Sequence, residues 1–198
     1  STEEYGQHVR AVEAAMHTDI RSLLTAHTGR IEALSAAQRY EEAAVHRDRL
    51  SAFVRAAARM QRLTALIGCR QLVAARPSSN QPGHWELAVI RSGRLAGTGV
   101  MPPGAVPATF VTALVASAET VIPGSGPLPA ALAEETEVIL RWLEQPGIRL
   151  VQLDGQWALP IHGAEAVKQR LDASAAEAEL TLGTNGRRTI RPMHRPAG

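Results

Sequence analysis

The stretch QRYEEAAVHRDRL, residues 38–50, decides how the first third of the chain folds. Before it, apolar residues recur every three or four positions over residues 20–34, which predicts an amphipathic helix. The period pauses at residues 37–40 and resumes after Glu41 and Glu42, two acids suited to the first turn of a helix. A second apolar stripe then runs to about Leu66. Two long helices with so short a link are predicted to fold back as an antiparallel hairpin.

Composition places the chain among globular proteins, since 45% of its 198 residues are hydrophobic and 20% are charged. The formal net charge is only +2, so the sequence pI of about 9.2 is weak evidence for a nucleic-acid partner. A lone cysteine, Cys69, rules out an internal disulfide, suits a reducing cytoplasm and has apolar neighbours that favour simple packing. No stretch approaches the ~20 apolar residues of a membrane span. We therefore expect a cytoplasmic location and no membrane partner.

The first residues carry a helix-cap signal, with Ser1 or Thr2 before Glu3 and Glu4, and no initiating methionine. This start indicates a piece of a longer protein.

Beyond Gly68 the pattern changes from helical to strand-like, with a hairpin turn predicted at Ser92-Gly93. The predicted elements are, in order, strands at 71–75, 84–91 and 94–100, helices at 108–120 and 129–145, strands at 148–153 and 157–161, and a helix at 164–180. The predicted fold class is α+β: an N-terminal antiparallel helical hairpin followed by a small mixed-sheet domain of order βββααββα. We divide the chain into a helical region (1–67), an α/β domain (68–182) and a mobile basic tail (183–198).

The carboxylates do not follow the pattern of a metal-dependent nuclease, which needs two or more of them converging on a cation. The first strand of the α/β part, residues 71–75, has none. The rival hypothesis is a residual metal site formed by Glu86, Asp154 and one glutamate of the second helix of this part: Glu134, Glu135 or Glu137. The seven histidines lack zinc-like spacing, and no GxSxG elbow is present. We predict no catalytic residue, no metal site and no cofactor in this chain.

Arginines are the candidates for nucleic-acid contact. Arg91 and Arg94 flank the predicted hairpin turn, where they would contact phosphates, although solvated surface is an equally good interpretation. Further arginines lie in the tail: Arg187, Arg188, Arg191 and Arg195.

The opening stretch, with the residues before it (ALSAAQRYEEAAVHRDRL), resembles the UVR motif of bacterial nucleotide-excision repair. The matching positions are the aromatic Tyr40, the acid Glu41, the alanine pair Ala43 and Ala44, and the Arg47-Asp48 step. Two further segments resemble UvrC. The segment that follows the GIY-YIG nuclease domain of UvrC is similar to STEEYGQHVRAVEAAM. The segment that follows the UVR helices is similar to WELAVIRSGRLAGTGV, in which Ser92 replaces a glycine. The resemblance covers roughly residues 1–100 and is looser to about residue 160. Actinobacteria have fusion proteins that join a DEDD-type exonuclease domain to a UvrC-like, Cho-like half with a GIY-YIG domain. The C-terminal part of these proteins is what two later segments resemble most, ETEVILRWLEQPG and DGQWALP.

The resemblance implies an inactive RNase H-like fold for the α/β part and a partner for the hairpin, because UVR hairpins of UvrC and UvrB pair with one another. The Asp-Ile-Ser-His type motif of the active UvrC domain does not occur here. Tyr40, Glu41, Ala43, Ala44, Arg47 and Asp48 are then the partner-binding residues, and the partner is a UvrB-like protein or a second copy of this chain. Two alternative functions are the residual nuclease described above and a self-association module. A further alternative is that Tyr40 and the alanines pack on the chain's own α/β domain. In that case the hairpin would have no partner-binding surface.

Overall fold

The structure is a computed structural model, and it describes residues 2–126 and 128–174. The helices are α1 (Thr2–His17), α2 (Arg21–Ala36), α3 (Tyr40–Ile67), α4 (Pro107–Ser117), α5 (Ala133–Leu143) and the described part of α6 (165–174). The strands are β1 (Gln71–Pro77), β2 (Trp85–Arg91), β3 (Arg94–Met101) and β4 (Arg149–Asp154). The predicted α+β class is confirmed, with a helical region first and a sheet with helices after it.

The sheet has the strand order β3-β2-β1-β4, and all three strand pairs are antiparallel. A mixed sheet was predicted, and the antiparallel pairing of all four strands corrects that part of the expectation. Here two helices, α4 and α5, separate β3 from β4. They pack on opposite faces of the sheet, so the chain crosses over and β4 enters antiparallel to β1.

The β2–β3 hairpin turns as predicted at Ser92 and Gly93, whose φ angles are 50° and 81°. Positive φ at both central positions is the mark of a type I′ turn, whose twist matches that of the strands. A Cβ on Gly93 would lie 2.9 Å from the side chain of Ile67, so glycine is also required for space. Thr136, fully buried on α5, donates a hydrogen bond to the Gly93 carbonyl and so fixes α5 against this turn.

Two apolar cores cover the two faces of the sheet. On one face α3 and α5 pack on β1 and β2, with Leu66, Leu72 and Ile139 at the centre. On the other face α4 packs on the same strands, with Leu114 against Val73 and its neighbours.

A third core lies among α1, α2, α3 and α6, where Val54 and Ala57 of α3 are fully buried. Because Leu63 and Leu66 at the far end of α3 belong to the sheet core, this one helix is shared by both parts of the molecule. The predicted division at residue 67 thus coincides with the end of α3 and is crossed by continuous packing.

Several predicted bounds need correction. Residues 157–161 were expected to form a returning strand and do not, because Trp157 packs into the sheet core and Pro160 lacks the N–H that a strand ladder needs. Helix α5 begins at Ala133 and not at Pro129, after an extended Leu132 with ψ of 153°. The predicted tail, residues 183–198, and its arginines lie outside the described residues.

Candidate interaction site at the hairpin tip

The link between α2 and α3 is a tight turn built on Gln38, which adopts a left-handed φ of 58°. The Gln38 N–H donates to the carbonyl of Ser35, and the Arg39 N–H donates to the carbonyl of Leu34, both at 2.9 Å. These two bonds form a Schellman motif, which satisfies the last carbonyls of a helix and reverses the chain. The turn sends α3 back along α2 and places Tyr40 at the tip of the hairpin.

Tyr40 is 65% exposed, which removes the possibility that it packs on the α/β domain. Ala44 and Arg47 follow it at steps of four and three residues, so the three side chains project from one side of α3. Glu41 and Asp48 are exposed beside them. We call these five residues, Tyr40, Glu41, Ala44, Arg47 and Asp48, the tip surface.

The alanine pair is split by the packing of the hairpin. Ala43 is buried at 6% exposure, whereas Ala44 is half-buried at the edge of the tip surface. Ala43 was predicted to be a partner-binding residue, and its burial leaves little of its side chain for direct contact. Its small side chain lies within the chain's own packing, so any effect on a partner acts through the shape of the hairpin.

The charged residues of the tip are held by short-range ion pairs. Arg39 binds Glu42 through two hydrogen bonds of 2.6 Å, and Arg47 binds its neighbour Asp48 at 3.0 Å. All four side chains are at least half exposed, so these pairs add little stability and their charges are accessible to a partner.

Sequence reasoning missed Val45, which is 48% exposed and lies next to Ala44. It lines a shallow cleft of about 320 Å³ with Glu41, Glu42, His46 and Arg49. The sequence contains a signal for this exposure, because the position directly after the alanine pair lies outside the apolar stripe that packs on α2. Tyr5, Val9 and Val12 on α1 are likewise exposed, so part of that helix's apolar stripe does not contribute to the core.

Arg91, predicted to contact DNA, has another role in the structure. Its guanidinium donates to the carbonyls of Val115, Ala118 and Glu119 at 2.7–3.2 Å, just where α4 ends. It also donates to the side chain of Gln71 at 3.0 Å. A cation at a helix C-terminus satisfies the last carbonyls and interacts favourably with the helix dipole. Arg91 is therefore a capping residue for α4, and its assignment to phosphate contact stays a prediction.

Arg94 pairs with Glu119 at 3.1 Å. Its side chain is 42% exposed, but the neighbouring carboxylate offsets the charge that a phosphate would meet. The structure thus brings the two predicted DNA-binding arginines together around the end of α4 and not on an open basic surface.

The carboxylates of the residual nuclease hypothesis are not brought together. Glu86 lies opposite Arg76 near one end of β1, and Asp154 lies opposite Gln71 at the other end. Five residues of strand separate these positions, which is about 16 Å. Within residues 2–126 and 128–174 no group of three or more His, Cys, Asp and Glu side chains is arranged to hold a metal ion.

Glu86, Asp154 and Glu135 have basic or backbone partners instead. Arg76 and Ser78 bind Glu86 and hold its pKa below the usual range. Arg70 binds Asp154 at 2.7 Å, and Glu135 accepts a hydrogen bond from the Leu95 N–H. A residual nuclease centre requires carboxylates that converge on one cation, and the positions of these acids contradict that arrangement.

Cys69 is buried, and its thiol lies 3.2 Å from the carbonyl of Gln156. Burial raises the pKa of this thiol, which disfavours the reactive thiolate. The packing interpretation of Cys69 agrees with this environment.

Comparison with known proteins adds one relative. The chain is 37% identical over 148 residues to a Mycobacterium tuberculosis protein named "Putative bifunctional exonuclease/endonuclease protein". The alignment covers 75% of this chain and 23% of the mycobacterial protein, so the chain spans about a quarter of the length of that curated relative. No family model matches the sequence. No solved structure matches it either.

None of the helices among the described residues combines the length and the apolar character needed to cross a membrane.

Proposed function

We propose that this chain is a non-catalytic module of a bacterial DNA-repair nuclease, and that it recruits the nuclease by docking its helical hairpin onto that of a UvrB-like protein. The proposal is supported by the UVR-like sequence of residues 38–50 and by the similarity to a protein named as an exonuclease and endonuclease. The process served is nucleotide excision repair in the cytoplasm. The catalytic centres belong to other parts of the parent protein.

One observation carries the proposal: Tyr40 is 65% exposed at the tip of the hairpin. Exposed tyrosines supply large contact area and a polar end at low entropic cost, and such residues are often the anchors of interfaces. Ala44 beside it leaves room for a second helix to approach closely. The accessible charges of Arg47 and Asp48 select the orientation of the partner.

The α/β part serves in this account as an RNase H-like platform without a cutting centre. The strand order and the helix on each face give it the rigidity to hold the hairpin in one direction. The separation of Glu86 and Asp154 along β1 supports a positioning role over a hydrolytic one.

The test is the affinity of this chain for the UvrB protein of the same cell, measured for matched variants. Tyr40→Ala is expected to weaken binding at least tenfold, as for a central aromatic anchor. Tyr5→Ala is the control, because Tyr5 is 72% exposed on α1 and lies outside the tip surface. Equal affinities of the two variants and the unaltered chain would refute docking through the tip.

A second copy of this chain is the rival partner. If the hairpin pairs with itself, the chain alone will self-associate and Tyr40→Ala will abolish that association, while added UvrB will have no effect.

A further inference from the structure

A trough runs between α3 and α5 on the surface of the molecule. It consists of two adjoining cavities of about 310 and 290 Å³, which share Arg62 and Leu140. We call it the α3–α5 trough. Its floor is apolar, because Leu63 and Leu140 belong to the sheet core.

One end of the α3–α5 trough is lined by three guanidinium groups, those of Arg59, Arg62 and Arg141. Arg59 binds Glu137, and Arg62 binds Glu144. Among the lining residues three positive charges face two negative ones, and Glu134 acts on Arg59 from outside the lining.

The other end of the trough is aromatic. Trp157 lines the second cavity beside Leu159, which is 42% exposed. Trp157 is half-buried and packs against the sheet core, so its ring is fixed while part of it still faces the cavity. The segment that carries it, residues 155–160, is the one whose predicted strand does not form.

We propose that the α3–α5 trough binds single-stranded nucleic acid, with backbone phosphates at Arg59, Arg62 and Arg141 and a base against Trp157. Single-strand sites combine a positive groove with aromatic side chains on which unpaired bases stack. A duplex would not present a base face to Trp157. The side chains of the two ion pairs are 30–52% exposed, and partly exposed ion pairs are weak enough for a phosphate to displace a carboxylate.

This inference deepens the proposed function, since it rests on the relation to a nuclease and gives the nucleic-acid contact a place other than Arg91 and Arg94. The competing interpretation is that the arginines only tie α3 to α5. The two interpretations differ in whether a substitution that leaves the fold intact weakens the binding of an oligonucleotide to the trough.

The experiment is fluorescence anisotropy of labelled oligodeoxythymidine and, in a second arm, oligouridine, over a series of salt concentrations. Arg141→Gln is expected to weaken binding several-fold and to reduce the slope of log K against log salt by about 0.7, the value for one lost phosphate contact on a single strand. Arg30→Gln, an exposed arginine on α2, is the control and is expected to leave both quantities unchanged. Comparable binding in both arms identifies phosphate and base as the features recognised, and a preference for one arm adds contact with the 2′ position of the sugar or with the thymine methyl group.

Trp157 is tested with a pair of variants, because loss of its ring also affects the core. Trp157→Phe retains a stacking face and is expected to bind within about threefold of the unaltered chain, whereas Trp157→Leu is expected to lose about tenfold. Thermal unfolding of each variant shows whether it is folded. If Trp157→Leu does not fold, Arg141→Gln and quenching of tryptophan fluorescence by the oligonucleotide decide.

Equal affinity and equal salt slope for Arg141→Gln, Arg30→Gln and the unaltered chain would overturn the proposal. Tyr40→Ala is expected to bind oligonucleotide normally, so failure of the trough and failure of the hairpin docking are separable results.

Discussion

The side chain of Gln61 accepts a hydrogen bond of 2.8 Å from the backbone N–H of Ala164, and both residues are buried. The same side chain donates to the carbonyl of Ala15 at 3.1 Å, near the end of α1. One amide on α3 therefore holds the end of α1 and the start of α6 together. A buried polar side chain with both of its ends bonded is a fixed point of the fold.

Gln61→Leu is expected to lower the free energy of unfolding by about 2–3 kcal/mol, because it leaves the Ala164 N–H and the Ala15 carbonyl without their partner. Urea unfolding monitored by circular dichroism measures the change. Gln169→Ala, an exposed position on α6, is the control and should change stability by less than ~0.5 kcal/mol. A Gln61→Leu variant as stable as the control would contradict the role of this amide.

Gln38→Gly is expected to stabilise the protein by about 0.5–1 kcal/mol. Gln38 has a left-handed φ of 58°, a conformation that costs a residue with a Cβ and that glycine adopts freely. The thermal unfolding midpoint measures the effect. A lower midpoint would show that the glutamine side chain makes a contribution that outweighs the backbone strain.

Arg91→Met is expected to lower the free energy of unfolding by about 2–3 kcal/mol and to increase amide hydrogen exchange in the last turn of α4. The reason is the loss of charge-assisted bonds to Val115, Ala118 and Glu119, whose carbonyls then lack that donor. Arg94→Met is the control, since its exposed pair with Glu119 contributes at most about 1 kcal/mol. Similar losses for both variants would argue against the capping role.

The contribution of Asp19 to the free energy of unfolding is expected to decrease at acid pH. Hydrogen bonds from Arg21 lower the pKa of its carboxyl from 3.8 to about 2. A lowered carboxyl pKa in the folded state stabilises the fold above the unfolded value and loses that effect as the pH falls through the folded value. The difference in unfolding midpoint between the unaltered chain and Asp19→Asn is therefore expected to be constant above about pH 5 and to vanish near pH 2. A difference that stayed constant down to pH 2 would contradict the pairing with Arg21.

The sequence predicted the elements whose signals are local. The pause in periodicity at residues 37–40 is the turn between α2 and α3, and Ser92-Gly93 is the turn between β2 and β3. In both cases the backbone conformation depends on a few neighbouring residues.

The features that the sequence did not predict depend on packing between residues that are distant in the chain. Arg91 looks like a free cation in the sequence, and only the arrival of α4 above it supplies the carbonyls that it binds. The alternation around Trp157 resembles a strand, but its side chain packs against the sheet core. Ala43 and Ala44 are adjacent and identical, yet the rotation of α3 against α2 buries only the first.

The most direct test of hairpin docking is sedimentation velocity of this chain alone and with the UvrB protein of the same cell. The account predicts a complex whose mass is the sum of the two proteins and which is lost when Tyr40 is changed to alanine. Two separately sedimenting species with the unaltered chain, at concentrations well above micromolar, would contradict it.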